Sequence, residues 1–335
     1  MDAVVWPIYY RLFPAKPPTT SLQGKVFLIT GGLSGIGYYT TLNLAQRGAT
    51  ILCGARDLIK AGAALNKLET NHPSLVNKVK LFKLDLGSFD KTREGAEQAK
   101  MAIQAAGGRL DGLVMNAARL ISPYMMGEDG FELSTQTNYF SIILFVESLL
   151  PLLEQTAIET GSDVRIVLVS SNACMTVPKT WDFVDVSTLN ATLADTGKDK
   201  DETPTQMTRY GVSKMLGTLY FEDLQQRLPQ RRSKVLAISL NPGPTQTDGT
   251  HSMPFPFTLI VPLMFQPTAY GANNTLFALT APEVRADATQ YGGKYLEPVG
   301  RVRKVPAPPS FTTQAKKEKV KKVTREVLGK QGSVF

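Results

Sequence analysis

The sequence predicts an α/β fold: one doubly wound parallel sheet with helices on both faces. Three observations predict it. Short β-branched runs alternate with longer helical stretches through residue 243. That is the rhythm of a parallel sheet joined by helical crossovers. The first run ends in a glycine-rich turn, "TGGLSGIG" at 30–37, at the mouth of a helix. The composition, 43% hydrophobic and 20% charged over 335 residues, suits a soluble body with a large core.

Each element follows in order. "KVFLIT", 25–30, is an apolar, β-branched first strand, and "GIGYYTTLNLAQRG", 35–48, has helical period and stops at Gly48. "TILCGAR", 50–56, is the second strand, followed by a helix over 57–71. "VKLFKLDL", 79–86, is the third, and helix 89–106 comes after it. "LDGLVMNAA", 110–118, is the fourth; helix 130–155 precedes "VRIVLVSS", 164–171, the fifth. Helix 206–228 precedes "KVLAISLNPG", 234–243, the sixth. Two segments break the rhythm, 175–205 and 248–268. Both fall outside the carboxyl ends of strands, where open α/β sheets bind ligands. The second is apolar and proline-broken, and reads as a substrate lid. The domain spans 22–300, after an apolar, Pro-rich lead-in at 1–21 and before a basic extension at 301–335.

The net charge of +8 is concentrated in that extension, which holds ten Lys or Arg and two acids. The first 300 residues are formally neutral. Nucleic-acid binding is therefore not expected. The basic run reads as a solvated helix, with contact to anionic lipid or an acidic partner as the alternative. No stretch reaches the roughly eighteen apolar residues of a spanning helix. The lead-in, with Asp2 and Pro7 inside its apolar run, does not read as a secretory signal. Its aromatics pack on the domain or rest on a membrane surface. The two cysteines, Cys53 and Cys174, read as buried free thiols, which fits a reducing, cytoplasmic setting. With two histidines, His72 and His251, no metal site is expected.

The glycine turn places Thr30, Gly31, Leu33, Ser34, Gly35, Ile36 and Gly37 where a phosphate meets a helix N-terminus. The second strand ends in Ala55 where an acid would bind ribose hydroxyls, and Arg56 follows. An arginine fork suits a ribose 2′-phosphate, so the coenzyme expected is NADP(H). Asp57 offers Arg56 a local partner instead. Asp85 and Leu86 bound the adenine pocket, or Asp85 merely caps the next turn. In "RYGVSKM", 209–215, Tyr210 and Lys214 share a helix face. A free phenol has a pKa of about 10, and a nearby ammonium lowers it.

Taken together, these residues resemble the short-chain dehydrogenase/reductase family. "TGGLSGIG" matches its glycine motif, "YGVSK" its Tyr-x-x-x-Lys, and "VLVSS" its serine. "NAA" matches part of its Asn-Asn-Ala-Gly, and "NPGPTQT" its Pro-Gly-x-x-x-Thr. The resemblance implies a Rossmann-type domain with Ser171, Tyr210, Lys214 and Asn138 at its active site. Tyr210 is then the proton donor and Ser171 orients the substrate oxygen. Lys214 holds the nicotinamide ribose, and Asn138 holds a water that links Lys214 to solvent. Asn116 and Ala117 lie beside the adenosine-side ribose, and Pro242, Gly243, Thr245 and Thr247 wall the nicotinamide. Met115 and Ala118 depart from the family pattern. A positive φ at Ala118 would strain it. The layout is most similar to the retinol-dehydrogenase-like branch, fungal relatives included. The implied function is NADP(H)-dependent reduction of a carbonyl, or oxidation of the matching alcohol, on a bulky apolar molecule. Non-redox or imine-directed chemistry, or a nucleotide-binding scaffold with little turnover, are the alternatives. Self-association through the helices after the fourth and fifth strands is left open.

Overall fold

The computed structural model describes residues 16–119, 123–178, 185–186, 189–190, 203–245, 266–308, 311 and 313–330. Its strands are β1 (Val26–Thr30), β2 (Thr50–Ala55), β3 (Val79–Lys83), β4 (Gly112–Met115), β5 (Arg165–Val169), β6 (Leu236–Leu240), β7 (Tyr295–Glu297) and β8 (Arg301–Arg303). They form one sheet in the order β3-β2-β1-β4-β5-β6-β7-β8, parallel except for β8. The central strands β1, β4, β5 and β6 are buried at every position and largely apolar, because both faces are covered. Leu28, Leu113, Ile166 and Leu168 face one core, and Phe27, Ile29, Val114 and Val167 face the other. The chain order reverses between β1 and β4, which opens the crevice where such sheets bind ligands.

The longer helices are α1 (Gly35–Gln46), α2 (Leu58–Asn71), α3 (Phe89–Ala105), α4 (Ser141–Thr160), α5 (Thr203–Arg227), α6 (Thr268–Thr280) and α7 (Gln314–Gly329). Asp57 caps α2 by accepting from the N–H groups of Ile59 and Lys60, at 3.0 and 2.9 Å. Helices α3, α4 and α5 cover the first core face, and α1 and α6 the second. A short π turn, Gln136–Phe140, feeds α4 and carries Asn138.

Four features differ from the sequence expectation. The helical run Leu133–Thr160 does have the length and mean hydropathy, 1.5, of a membrane span. Yet 61% of that window is buried within the fold, as a core helix requires. The predicted third and fourth strands overran their ladders: β3 ends at Lys83, with Leu84 packed in the core, and β4 ends at Met115, after which the Asn116 amide bonds back to the glycine turn. Helix α6 and strands β7 and β8 had no counterpart in the sequence reading. The basic extension is a docked helix rather than a solvated one: Val320, Val323, Val327 and Leu328 are buried.

Candidate active site

The glycine turn is held from below. The Thr30 hydroxyl accepts from the N–H groups of Asn116 and Ala117, both at 2.9 Å, and donates to Val114 O at 3.4 Å. The Asn116 amide in turn donates to the carbonyls of Thr30 (3.0 Å) and Gly31 (3.2 Å). Its amide nitrogen thus staples the turn, besides lying where a ribose was expected. A Cβ on Gly37 would sit 2.2 Å from Gly31 O, so only glycine fits there. Gly35, at φ +50°, faces open space. Ser34 stands at the cap of α1 without a capping hydrogen bond, and no acid lies in the first turn. The leading N–H groups of α1 therefore point into a cradle with a positive dipole end, which fits a phosphate. Ile36 is buried and Leu33 half-buried behind it.

Arg56 is exposed at the end of β2, and no ion pair engages it among the described residues. Asp57 spends its carboxylate on capping α2, so the local pairing foreseen as an alternative does not form. Lys83, the last residue of β3, donates its ammonium to Arg56 O at 2.6 Å and adds a second cation. Sequence reasoning missed Lys83, because only the β2–β3 register sets it opposite Ala55. Asp85 accepts from Gly87 N at 2.9 Å, so the plain turn-capping role is realised. Leu86 is buried in the core at 5% exposure. Met115 is fully buried in the sheet, and Ala118 does not have a positive φ.

Beside this cradle, Ser171 leaves β5 and caps the 3₁₀ turn Asn172–Thr176, its hydroxyl accepting from Ala173 N at 3.1 Å. Tyr210 and Lys214 rise from α5. Burial pushes the Tyr210 phenol well above its ordinary value, and a hydrogen bond with Ser171 pulls it partly back. Lys214 is 2% exposed; its ammonium donates to Val169 O at 2.7 Å and lies 5.7 Å from the Tyr210 ring centre. Burial pushes its pKa down from 10.5 to about 8. The expected lowering of the phenol by this ammonium is not what sets its titration: burial dominates, and Tyr210 stays protonated near neutrality. Ser170 takes the structural place, bonded to Thr218 at 2.7 Å. Asn138 is buried and its amide is fully engaged. It accepts from Arg119 N (2.7 Å) and donates to Arg119 O (2.8 Å) and Ser213 Oγ (3.0 Å). It clamps the post-β4 loop to α5, and its side chain does not reach Lys214.

Pro242 O accepts from the Gln266 amide at 3.2 Å, and Gly243 has φ +85°. Thr245 is buried and bridges to Gln266, against Gly271 of α6. Thr247, residues 248–265 of the lid and most of 179–202 lie outside the described residues. No group of metal-ligating side chains occurs among the described residues.

The short chain dehydrogenase family profile matches residues 25–182. The short chain dehydrogenase/reductase dpchH of Colletotrichum higginsianum is 36% identical over 291 residues, covering 86% of this chain and 70% of that protein. Among solved structures, a protein from Mycobacterium paratuberculosis matches with a TM-score of 0.65 at 24% identity, over 92% of this chain and 95% of that one. The RhlG/NADP active-site complex of Pseudomonas aeruginosa matches with a TM-score of 0.60 at 22% identity, over 85% and 98%. With the motifs in order and the fold in agreement, the chain belongs to the short-chain dehydrogenase/reductase family, whose members are oxidoreductases.

Proposed function

We propose that the protein is an NADP(H)-dependent oxidoreductase that reduces a carbonyl on a bulky apolar small molecule, or oxidises the matching alcohol. The observation that carries this reading is the meeting of Ser171, Tyr210 and Lys214 beside the uncapped N-terminus of α1. The glycine cradle would hold the pyrophosphate; Arg56, with Lys83, would hold the 2′-phosphate. That one fold relative was solved with NADP agrees with this preference. When bound, the reduced nicotinamide supplies hydride to the carbonyl carbon. Ser171 donates a hydrogen bond to the carbonyl oxygen, and Tyr210 gives that oxygen its proton. Burial keeps the phenol protonated, the state in which it can donate. Lys214 replenishes the proton and contacts the nicotinamide ribose. Asn138 holds α5 in place through Ser213.

An apolar substrate is supported by exposed methionines near the site. Met175 lies in the turn after Ser171 and is 66% exposed; the exposed Met125 accepts from the Arg119 guanidinium, and the exposed Met126 follows it. Such side chains adapt to irregular apolar shapes. The overall layout, with its long 175–205 segment and its extension beyond residue 300, is the ground for placing it nearest the retinol-dehydrogenase-like branch. Two buried, unbridged cysteines support a cytoplasmic setting. The test is oxidation of NADPH by a panel of apolar ketones and aldehydes, with product identified. Tyr210→Phe is expected to lose about 10²-fold or more in kcat. Arg56→Ala is expected to lower the NADPH-over-NADH preference by about tenfold. Equal turnover by Tyr210→Phe would refute the proton-donor assignment, and an unchanged coenzyme ratio the role of Arg56.

A further inference from the structure

Behind the Ser171–Tyr210 pair lies a second buried phenol. Tyr295, on β7, is 1% exposed and donates its hydroxyl to Asn172 Oδ1 at 2.7 Å. Asn172 directly follows Ser171 and opens the 3₁₀ turn that Ser171 caps. This turn is pressed between two neighbours. From one side α5 approaches so closely that a Cβ on Gly211 would meet Ala173 O at 2.2 Å. From the other side, the Tyr295 hydroxyl is the polar tie between the turn and the sheet. β7 itself is anchored by its ladder to β6 and by Asn274, which donates to Leu296 O at 3.1 Å.

We propose that Tyr295 is a positioning residue for the reaction: by holding Asn172 it fixes the 172–176 turn and keeps the Ser171 hydroxyl on Tyr210. The inference rests on the reading of Ser171 and Tyr210 given above. Without the tie, Asn172 loses a buried partner: the turn keeps Cys174 in the core and its contact with α5, but its first residue is no longer held to β7. Ser171 then moves relative to Tyr210, although neither residue is altered. The groups that face Tyr210 are Lys214 on its own helix, Cys174 on the turn and Tyr295 on β7. Tyr295 and Cys174 are neutral, as burial raises both, so removing the Tyr295 hydroxyl removes no charge.

The test reads Tyr210 directly. Tyrosinate absorbance is followed against pH in the protein saturated with NADP⁺, whose positive nicotinamide lowers the phenol that burial raises, and the difference from Tyr210→Phe isolates the Tyr210 step. A Ser171 hydrogen bond favours the phenolate. Tyr295→Phe and Asn172→Ala are each expected to move the step upward by about half a pH unit or more, and the double variant no further. Asn172→Ala carries the test if Tyr295→Phe does not fold. A role in stability alone would lower Tm and leave the step in place. A step that is unmoved, or that moves down, in the folded variants overturns the proposal. If wild type has no Tyr210-dependent step, the reading of Tyr210 falls first, and this inference falls with it.

Discussion

Lys214 costs the fold stability for as long as it is charged. Its pKa falls from 10.5 to about 8 because burial disfavours the ammonium. A drop of that size corresponds to about 3 kcal/mol. Its sign follows from proton binding. Between the two values the unfolded chain holds the proton and the folded chain does not, so stability rises with pH in that window. Below about pH 8 both forms are charged and the full penalty stands. Lys214→Met should therefore be more stable than the wild type at pH 7. The gain should be about 1–2 kcal/mol, since Val169 O loses its partner. Urea unfolding at pH 7 and pH 10 checks this: the advantage should shrink towards pH 10, and turnover should be absent at both. An advantage that grows with pH would reverse the assignment of Lys214 as a buried cation.

The contact between α5 and the 172–176 turn sets the reacting geometry at the level of whole elements. Alanine usually stabilises a helix over glycine by about 1 kcal/mol. At Gly211 the added Cβ would lie 2.2 Å from Ala173 O and 2.6 Å from Thr176 Oγ1. Backbone must then move, and Tyr210 moves with it. Gly211→Ala should lower kcat by about 10²-fold while the Kd for NADPH, held mainly by the glycine turn and Arg56, changes much less. At Gly217, on the same helix, the added Cβ would lie 3.2 Å from the Leu168 Cδ2 methyl, a tight contact with the end of a flexible side chain, and 3.4 Å from Asn138 O. Gly217→Ala should keep its activity, and loss of activity in both variants would remove the steric argument. This contact also marks the limit of what the sequence discloses. The glycine turn, Arg56 and the Tyr210–Lys214 spacing were legible because each depends on neighbours a few residues away. Asn138 as a clamp, Lys83 beside Arg56 and Tyr295 on Asn172 were not. Their partners lie on separate elements, and only register and packing bring them together. The short strands β7 and β8 at one end of the sheet, three residues each, lack the length that makes periodicity readable.

At the scale of the whole molecule, the C-terminal helix closes the outer face of α5. Its apolar stripe runs through Val320, Val323, Val327 and Leu328, and was masked in the sequence by the lysines around it. Lys317 pairs with Glu222 at 2.6 Å, and Lys321 with Asp223 at 2.7 Å. The two cations thus neutralise acids of α5, so they are not free to attract lipid. One bond reaches deeper. Thr324 Oγ1 lies 2.6 Å from the Tyr139 hydroxyl, and Tyr139 adjoins Asn138 in the π turn. Both side chains are buried, at 1% and 2% exposure. Thr324→Val keeps the shape and orphans the phenol, which should cost about 1–3 kcal/mol. Tyr139→Phe should do the same to the threonine, less severely, because Thr324 also donates to Val320 O at 2.7 Å. Replacing both leaves no orphan, so the double variant should be more stable than Thr324→Val alone. Thermal unfolding of the four proteins measures that coupling. Additive losses would mean that α7 is held by its apolar stripe and ion pairs alone, with the Tyr139 contact contributing nothing.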